Sequence, residues 1–116
     1  MRLLVVDDDP MQLELVERAL SRDGFEVAAV SELAGLARAA AGFGPELVLV
    51  DVNMPDAPSD RVVAVVREAV PGARVVLYSA WEESKLRKLA AAVGADGYVS
   101  KSESVFGLGE KLRTLK

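Results

Sequence analysis

Apolar residues fall into five short runs along this chain, at positions 2–6, 25–30, 46–51, 73–79 and 96–99. Runs this short read as strands. The third contains Leu47, Val48, Leu49 and Val50 without a polar interruption, the pattern of a strand buried on both faces. The segments between the runs carry helical spacing. The first helix is expected to begin at "DPMQ", with Asp9 as N-cap, Pro10 at the first helical position and Gln12 as capping-box partner. Leu13, Val16 and Leu20 then form its buried stripe. A second helix is expected from Ser31, burying Leu33, Leu36, Ala37 and Ala40 until "GFGP" stops it. The fourth carries Leu86, Leu89, Ala90 and Val93 and closes on Gly94 as its C-terminal cap. The last carries Val105, Leu108, Leu112 and Leu115, weakened by Gly107 and Gly109.

The third intervening segment, "SDRVVAVVREAV", carries conflicting signals. Its valines favour a strand by propensity. Parallel neighbours on either side, however, need a crossover, and Val62, Val66 and Ala69 fit one helical face. The crossover decides for a helix. The pattern is then a βα unit repeated five times, with no internal linker or low-complexity tract. It predicts one α/β domain over residues 1–116, three-layered, with a parallel five-stranded sheet covered by helices on both faces. In such sheets function gathers at the carboxyl ends of the strands, near the switch in strand order.

Composition narrows the chemistry. With 116 residues, 51% hydrophobic and 28% charged, the chain can bury a real core. A net charge of −4 argues against direct nucleic-acid binding, which needs clustered Lys and Arg. There is no cysteine and no histidine, which removes thiolate chemistry, zinc–thiolate sites, Ser-His-Asp catalysis and imidazole ligands. Carboxylates, hydroxyls, lysines and backbone remain. The N-terminal apolar run stops in acid within six residues, so it reads as neither signal peptide nor membrane span, and the expected location is cytoplasmic. The chain ends at Lys116 directly after a helix-like segment, which suits a complete small protein and a domain cut from a longer one equally.

Several polar residues converge at the carboxyl ends of the strands. The first supplies Asp7 and Asp8, the third Asp51, the fourth Ser79, and the fifth leads through "GYVSK" to Lys101. Each has an ordinary explanation alone: a loop acid, a helix start, a solvated lysine. Their convergence does not. Two carboxylates ~4 Å apart repel by about 4 kcal/mol at an effective dielectric near 20. A hard divalent cation relieves this, and Mg²⁺ takes a few carboxylates or carbonyls while keeping some waters. With Lys101 as a further positive charge, the site suits an anion beside a metal, and phosphoryl is the natural candidate.

These residues carry a resemblance. "LLVVDDDP", "LVLVDVNMP", "VVLYSA" and "GADGYVSK" stand in this order and at family-like spacing, and the whole chain resembles a response-regulator receiver domain of two-component signalling, of the chemotaxis-regulator type. The resemblance implies a flavodoxin-like fold with strand order 2-1-3-4-5. It implies Asp51 as phosphoacceptor, Asp8 as direct Mg²⁺ ligand (Mn²⁺ possible), Asp7 acting largely through water, and the backbone carbonyl of Asn53 as a further ligand. Ser79 would hydrogen-bond the phosphoryl oxygen and Lys101 would pair with it. Ser79 and Tyr98 would form the switch, with output through the face built from residues 82–115, which could also form a homodimer. The implied partners are a sensor histidine kinase or phosphotransfer protein and a downstream effector domain or protein, with no membrane. Receivers take up and slowly lose their own phosphoryl group but turn over no substrate.

The chain departs from the family in two loops. After Met54-Pro55 it has "DAPSD" where an acid and then Gly are usual, and Pro58-Ser59 would start the third helix. After Lys101 it has Ser102 where Pro is usual, often after a cis bond. A cis bond before a non-proline residue costs about 3 kcal/mol, so this peptide bears on where Lys101 sits. Trp81 lies two positions past Ser79, where its bulk would slow loss of the phosphoryl group or simply pack at the start of the fourth helix. Two other readings compete. A haloacid-dehalogenase-type phosphatase needs Asp-x-Asp-x-Thr/Val after its first strand, whereas this chain has Met11 at the last place and no room for a cap domain. A phosphorylation-independent receiver-like interaction domain usually lacks the acceptor, the acidic pair or the lysine, and all are present here.

Overall fold

The computed structural model describes residues 1–115, so the expected span of 1–116 is described up to Leu115. The elements alternate as read: β1 (Arg2–Val6), α1 (Pro10–Arg22), β2 (Glu26–Val30), α2 (Leu36–Ala40), β3 (Leu47–Asp51), α3 (Val62–Ala69), β4 (Arg74–Ser79), α4 (Glu83–Val93), β5 (Gly97–Ser100) and α5 (Leu108–Thr114). All strand pairs are parallel, in the order β2-β1-β3-β4-β5. Every residue of β3 is buried, as expected for the central strand.

Side chains alternate across the sheet and build two cores. On one face Leu4, Val48, Val50, Val75 and Leu77 meet Leu36 of α2, Val62 and Val66 of α3, and Leu86 and Ala90 of α4. On the other, Leu3, Val5, Leu47, Leu49, Val76 and Tyr78 meet Val16 and Leu20 of α1 and Leu108 and Leu112 of α5. The valine-rich segment is a helix, because packing Val62, Val63 and Val66 into the first core outweighs their strand propensity.

Helix starts differ from expectation in three places. Asp9 caps α1 through its side chain, to the N–H groups of Met11 at 3.0 Å and Gln12 at 3.4 Å, with Pro10 in the first turn. Gln12 does not close a capping box: the Asp9 N–H goes instead to Asp7 Oδ1 at 3.0 Å. The second helix does not begin at Ser31. A 3-10 turn over Leu33–Gly35 precedes a five-residue α2. Leu33 and Leu36, three residues apart, are the pair it buries, a spacing that a 3-10 turn superimposes. Ala37, expected inside, is exposed. The third helix starts at Val62, after a turn in which the Arg61 N–H bonds the Pro58 carbonyl at 2.9 Å.

Of the two glycines near α5, Gly109 has a packing role beyond its cost in helix propensity. A Cβ there would lie 2.5 Å from Asp23 Oδ2 and 3.0 Å from Phe25 Cε2, so α5 approaches the start of β2 only without a side chain. Gly94 caps α4 as expected, at φ 72.

Two alanine substitutions are expected to move stability in opposite directions. Gly94→Ala has open space but a left-handed backbone, and should cost about 1 kcal/mol. Gly107→Ala also has open space, at φ −95 within a continuous helical run, and should gain roughly 0.5 kcal/mol. Urea unfolding of the two variants beside wild type measures both.

Candidate functional site

Register brings the acids together. Val6 of β1 pairs with Val50 of β3, so the next residues, Asp7 and Asp51, leave adjacent strands side by side. This is the point where the strand order reverses, since β1 lies between β2 and β3. Asp7, Asp8 and Asp51 each offer a carboxylate oxygen, all within 4.8 Å of one another. Asp7 and Asp51 are buried, and Asp8 is exposed.

Lys101 joins the two buried acids. Its Nζ lies 2.8 Å from Asp7 Oδ2 and 2.8 Å from Asp51 Oδ2. The lysine side chain is 16% exposed, against 3% for Asp7 and 9% for Asp51, so these are shielded, charge-assisted hydrogen bonds rather than a solvated surface pair. Burial acts to lower the Lys101 pKa, and the hydrogen bonds it donates to Asp51 and Asp7 outweigh this, so its pKa stands raised and the group is charged. The remaining oxygens are also engaged. Asp7 Oδ1 accepts the Asp9 N–H, and Asp51 Oδ1 accepts the Asn53 N–H at 2.9 Å. The run Asp7-Asp8-Asp9 thus divides its work: one acid joins Lys101, one faces solvent in the acidic cluster, and one caps a helix.

The loop carrying Lys101 holds without a proline. Among the described residues every peptide bond is trans, that before Ser102 included. The Lys101 N–H extends the ladder to the Ser79 carbonyl at 2.7 Å. Ser100 Oγ then accepts the Ser102 N–H at 3.1 Å and lies 2.7 Å from Ser102 Oγ.

Ser79 closes β4 fully buried, its Oγ accepting the Trp81 N–H at 3.1 Å. Tyr98 is partly buried in β5 against the α3–α4 core. The Trp81 ring packs partly buried on that same core, with the Lys85 ammonium 4.3 Å from its centre. Of the residues predicted for the site, Asp7, Asp8 and Asp51 come together and Lys101 bonds the two buried acids. Ser79 ends the neighbouring strand β4, and Tyr98 lies within β5, on the face of the sheet. Asn53 is on the exposed loop directly after β3.

Sequence reasoning missed Tyr78. Its ring centre lies 5.4 Å from Lys101 Nζ, and its hydroxyl accepts a long hydrogen bond, 3.4 Å, from Gln12 Nε2. Burial raises its pKa above the ordinary phenol value, with Lys101 acting in the opposite sense. The signal was the single hydroxyl-bearing ring in "VVLYSA", next to Ser79.

Comparison with known proteins agrees with this geometry. Residues 3–113 match the response regulator receiver domain family. The chain belongs to that family. The transcriptional regulatory protein KdpE of Mycobacterium tuberculosis is 35% identical over 114 residues, covering 98% of this chain and 49% of KdpE. The receiver chain thus spans about half the length of the curated relatives it matches. The response regulator TrrA of Thermotoga maritima, solved in complex with Mg²⁺-BeF, is 29% identical with a TM-score of 0.79, covering 99% of this chain and 98% of that one. The chemotaxis protein CheY4 of Vibrio cholerae shares the fold, with a TM-score of 0.84 at 22% identity, over 99% of this receiver and 98% of that chain. Among the described residues no helix is long and apolar enough to cross a membrane.

The charge balance of the receiver rim is open to a stability measurement without metal. In chelator, Asp8→Asn should stabilise the protein by about 1 kcal/mol, an effect that shrinks as salt rises. Lys101→Met, which leaves Asp7 and Asp51 buried without their cation, should cost about 3 kcal/mol. Urea unfolding in EDTA at low and high ionic strength checks both; equal and small effects would mean that the three acids barely interact.

Proposed function

We propose that this receiver is a cytoplasmic phosphorylation switch in which Asp51 accepts a phosphoryl group from the phosphohistidine of a sensor histidine kinase or phosphotransfer protein. The observation that carries this is Lys101 bridging Asp7 and Asp51 beside the exposed Asp8. These 116 residues contain no histidine, so the donor imidazole lies outside them. A bond forms between an Asp51 carboxylate oxygen and phosphorus as the phosphorus–nitrogen bond to the donor imidazole breaks, and its electron pair stays on the imidazole. The residues that hold Asp51 remove the need to fix a mobile loop acid before attack.

The donor set fits a divalent cation. It consists of hard oxygens only, one of its carboxylates open to solvent, and it carries more negative charge than Lys101 offsets. Asp8, Asp51 and the Asn53 carbonyl would hold Mg²⁺, or Mn²⁺ in its place, with Asp7 acting largely through water. When bound, the cation neutralises the carboxylates and the incoming phosphoryl oxygens. Lys101 is already charged and desolvated, and turns from Asp51 toward a phosphoryl oxygen without crossing the site. The Ser79 hydroxyl, which now accepts a backbone N–H, has its own proton to donate to that oxygen.

Output follows from this demand on Ser79 and Lys101. Both end in segments that lead to α4 and α5, and Tyr98 lies on the strand between. The face built from residues 82–115 then meets a downstream effector domain or protein, or a second copy of this chain. KdpE is a transcriptional regulatory protein, which suits an effector acting on transcription. The receiver itself turns over no substrate.

Incubation with Mg²⁺ and a small phosphodonor tests the nucleophile: wild type is expected to gain one phosphoryl group, about 80 Da, lost again as the acyl phosphate hydrolyses, and Asp51→Asn to gain nothing. Uptake persisting in the variant would reassign the acceptor. For the output, Tyr98→Ala should take up phosphate at the wild-type rate yet lose the difference in effector affinity between the phosphorylated and unphosphorylated forms. Titration of either form against the cognate effector measures this, and an undiminished difference removes Tyr98 from the switch.

A further inference from the structure

Lys101 is held by more than its two carboxylates. Its ammonium lies over the ring of Tyr78, 5.4 Å from the centroid, within the range at which an aromatic face attracts a cation. Tyr78 sits directly opposite Asp51 in the β3–β4 ladder and opposite Val99 in the β4–β5 ladder. It projects to the α1–α5 side of the sheet, since it packs with Val16, Leu20 and Leu108, and it is 4% exposed. Its hydroxyl is tied to Gln12 in the first turn of α1, the same turn whose start is fixed by Asp7 and Asp9.

A leucine or valine here would fill the same layer, and Val75, Val76 and Leu77 before it in β4 are such residues. The tyrosine adds two things they lack: a quadrupole under the ammonium and a hydroxyl that reaches α1. Tyr78 also lines a cavity of ≈ 260 Å³, together with Glu103, Ser104 and Lys111.

We propose that Tyr78 is a positioning residue for the phosphorylation site: its ring, lying under the ammonium, holds Lys101 between Asp7 and Asp51. Tyr78 acts through Lys101 and does not touch the phosphoryl group. The inference rests on the reading of Lys101 as the residue that receives that group. Its ground-state part, the ordering of a lysine by a ring, stands independently of phosphorylation.

The test compares Tyr78→Phe, which keeps the ring, with Tyr78→Leu, which removes it, in the full chain. The first readout needs neither metal nor phosphodonor: the order parameter of Lys101 Cε in lysine-labelled protein held in chelator, by NMR relaxation. Wild type and Tyr78→Phe should show Lys101 far more ordered than the exposed Lys88, and Tyr78→Leu should move it toward the Lys88 value. The second readout is phosphorylation by acetyl phosphate at saturating Mg²⁺. Tyr78→Leu should slow it about fivefold, the factor that a cation–π contact of this kind supports, with the Mg²⁺ dissociation constant within twofold of wild type. Should Tyr78→Leu fail to fold, Tyr78→Met, closer to the ring in length and flexible enough to fill its space, carries the same comparison. A Lys101 as ordered in the ring-less variant as in wild type overturns the proposal and leaves Tyr78 a core residue. Failure of wild type to take up phosphate, with Lys101 ordering still dependent on the ring, would instead sink the phosphoacceptor reading and leave the ordering intact.

Discussion

One ammonium group between two buried carboxylates governs the upper rim of this sheet. Parallel strands β1 and β3 in register necessarily discharge Asp7 and Asp51 side by side, and two such groups repel by several kcal/mol unless something positive lies between them. Lys101 is that charge, at 2.8 Å from each. It comes from the far end of the chain, so the rim is neutralised only when β5 has joined the sheet beyond β4. The site is therefore a consequence of complete folding, in which separate segments hold opposite charges that none could bury alone.

The neutralisation is incomplete. Asp8 stays in solvent within reach of both buried acids, leaving three carboxylates against one lysine. A rim of this kind has a standing preference for added positive charge and tolerates an added dianion only in its company. In the proposed function that asymmetry orders the chemistry: a cation would compensate the acids and leave Lys101 free to follow the phosphoryl group. Alternation along β4 then divides the consequences. Ser79 and Tyr78 are neighbours in sequence but face opposite layers, the first toward α3 and α4, the second toward α1 and α5. A displacement of Ser79 acts on the first layer, while Tyr78 keeps Lys101 tied to the second.

Much of this was legible in the sequence, for identifiable reasons. The strands were found to within a residue or so because a doubly buried parallel strand is an uninterrupted apolar run, and the acids at their ends stand out against it. Asp9 and Gly94 were legible because helix ends have few chemical solutions. The failures share a cause as well: each depended on a contact that the local pattern does not show. Gln12 fits a capping box locally, but Tyr78, 66 residues away, claims its amide, and Asp7 takes the N–H that Gln12 would have met. Helix α2 begins late because Leu33 and Leu36 both dip into the core, and Gly35 between them lies so close to Val30 that an added Cβ would stand 3.0 Å from its Cγ1. Gly109 reads as a weak spot in a helix until Asp23 and Phe25 are seen against it.

Ser102 is the most instructive of these positions. A proline after the lysine restricts the chain covalently, by fixing its own φ and limiting the residue before it. In its absence the backbone on either side of Lys101 is fixed by hydrogen bonds. The Lys101 N–H is held by the Ser79 carbonyl, the Ser102 N–H by Ser100 Oγ, and the Glu103 N–H by the Ser100 carbonyl at 3.2 Å. Bonds of this kind contribute about 1 kcal/mol each, enough together to keep Lys101 in place with a trans peptide. They also differ from a pyrrolidine ring in one respect that matters for a switch. The anchor of Lys101 is Ser79, the last residue of β4, so the two residues that the proposed function assigns to the phosphoryl group are joined to each other through the backbone. Moving Ser79 pulls on the N–H of Lys101 directly, and the serine-capped turn beyond it can yield where a proline would resist.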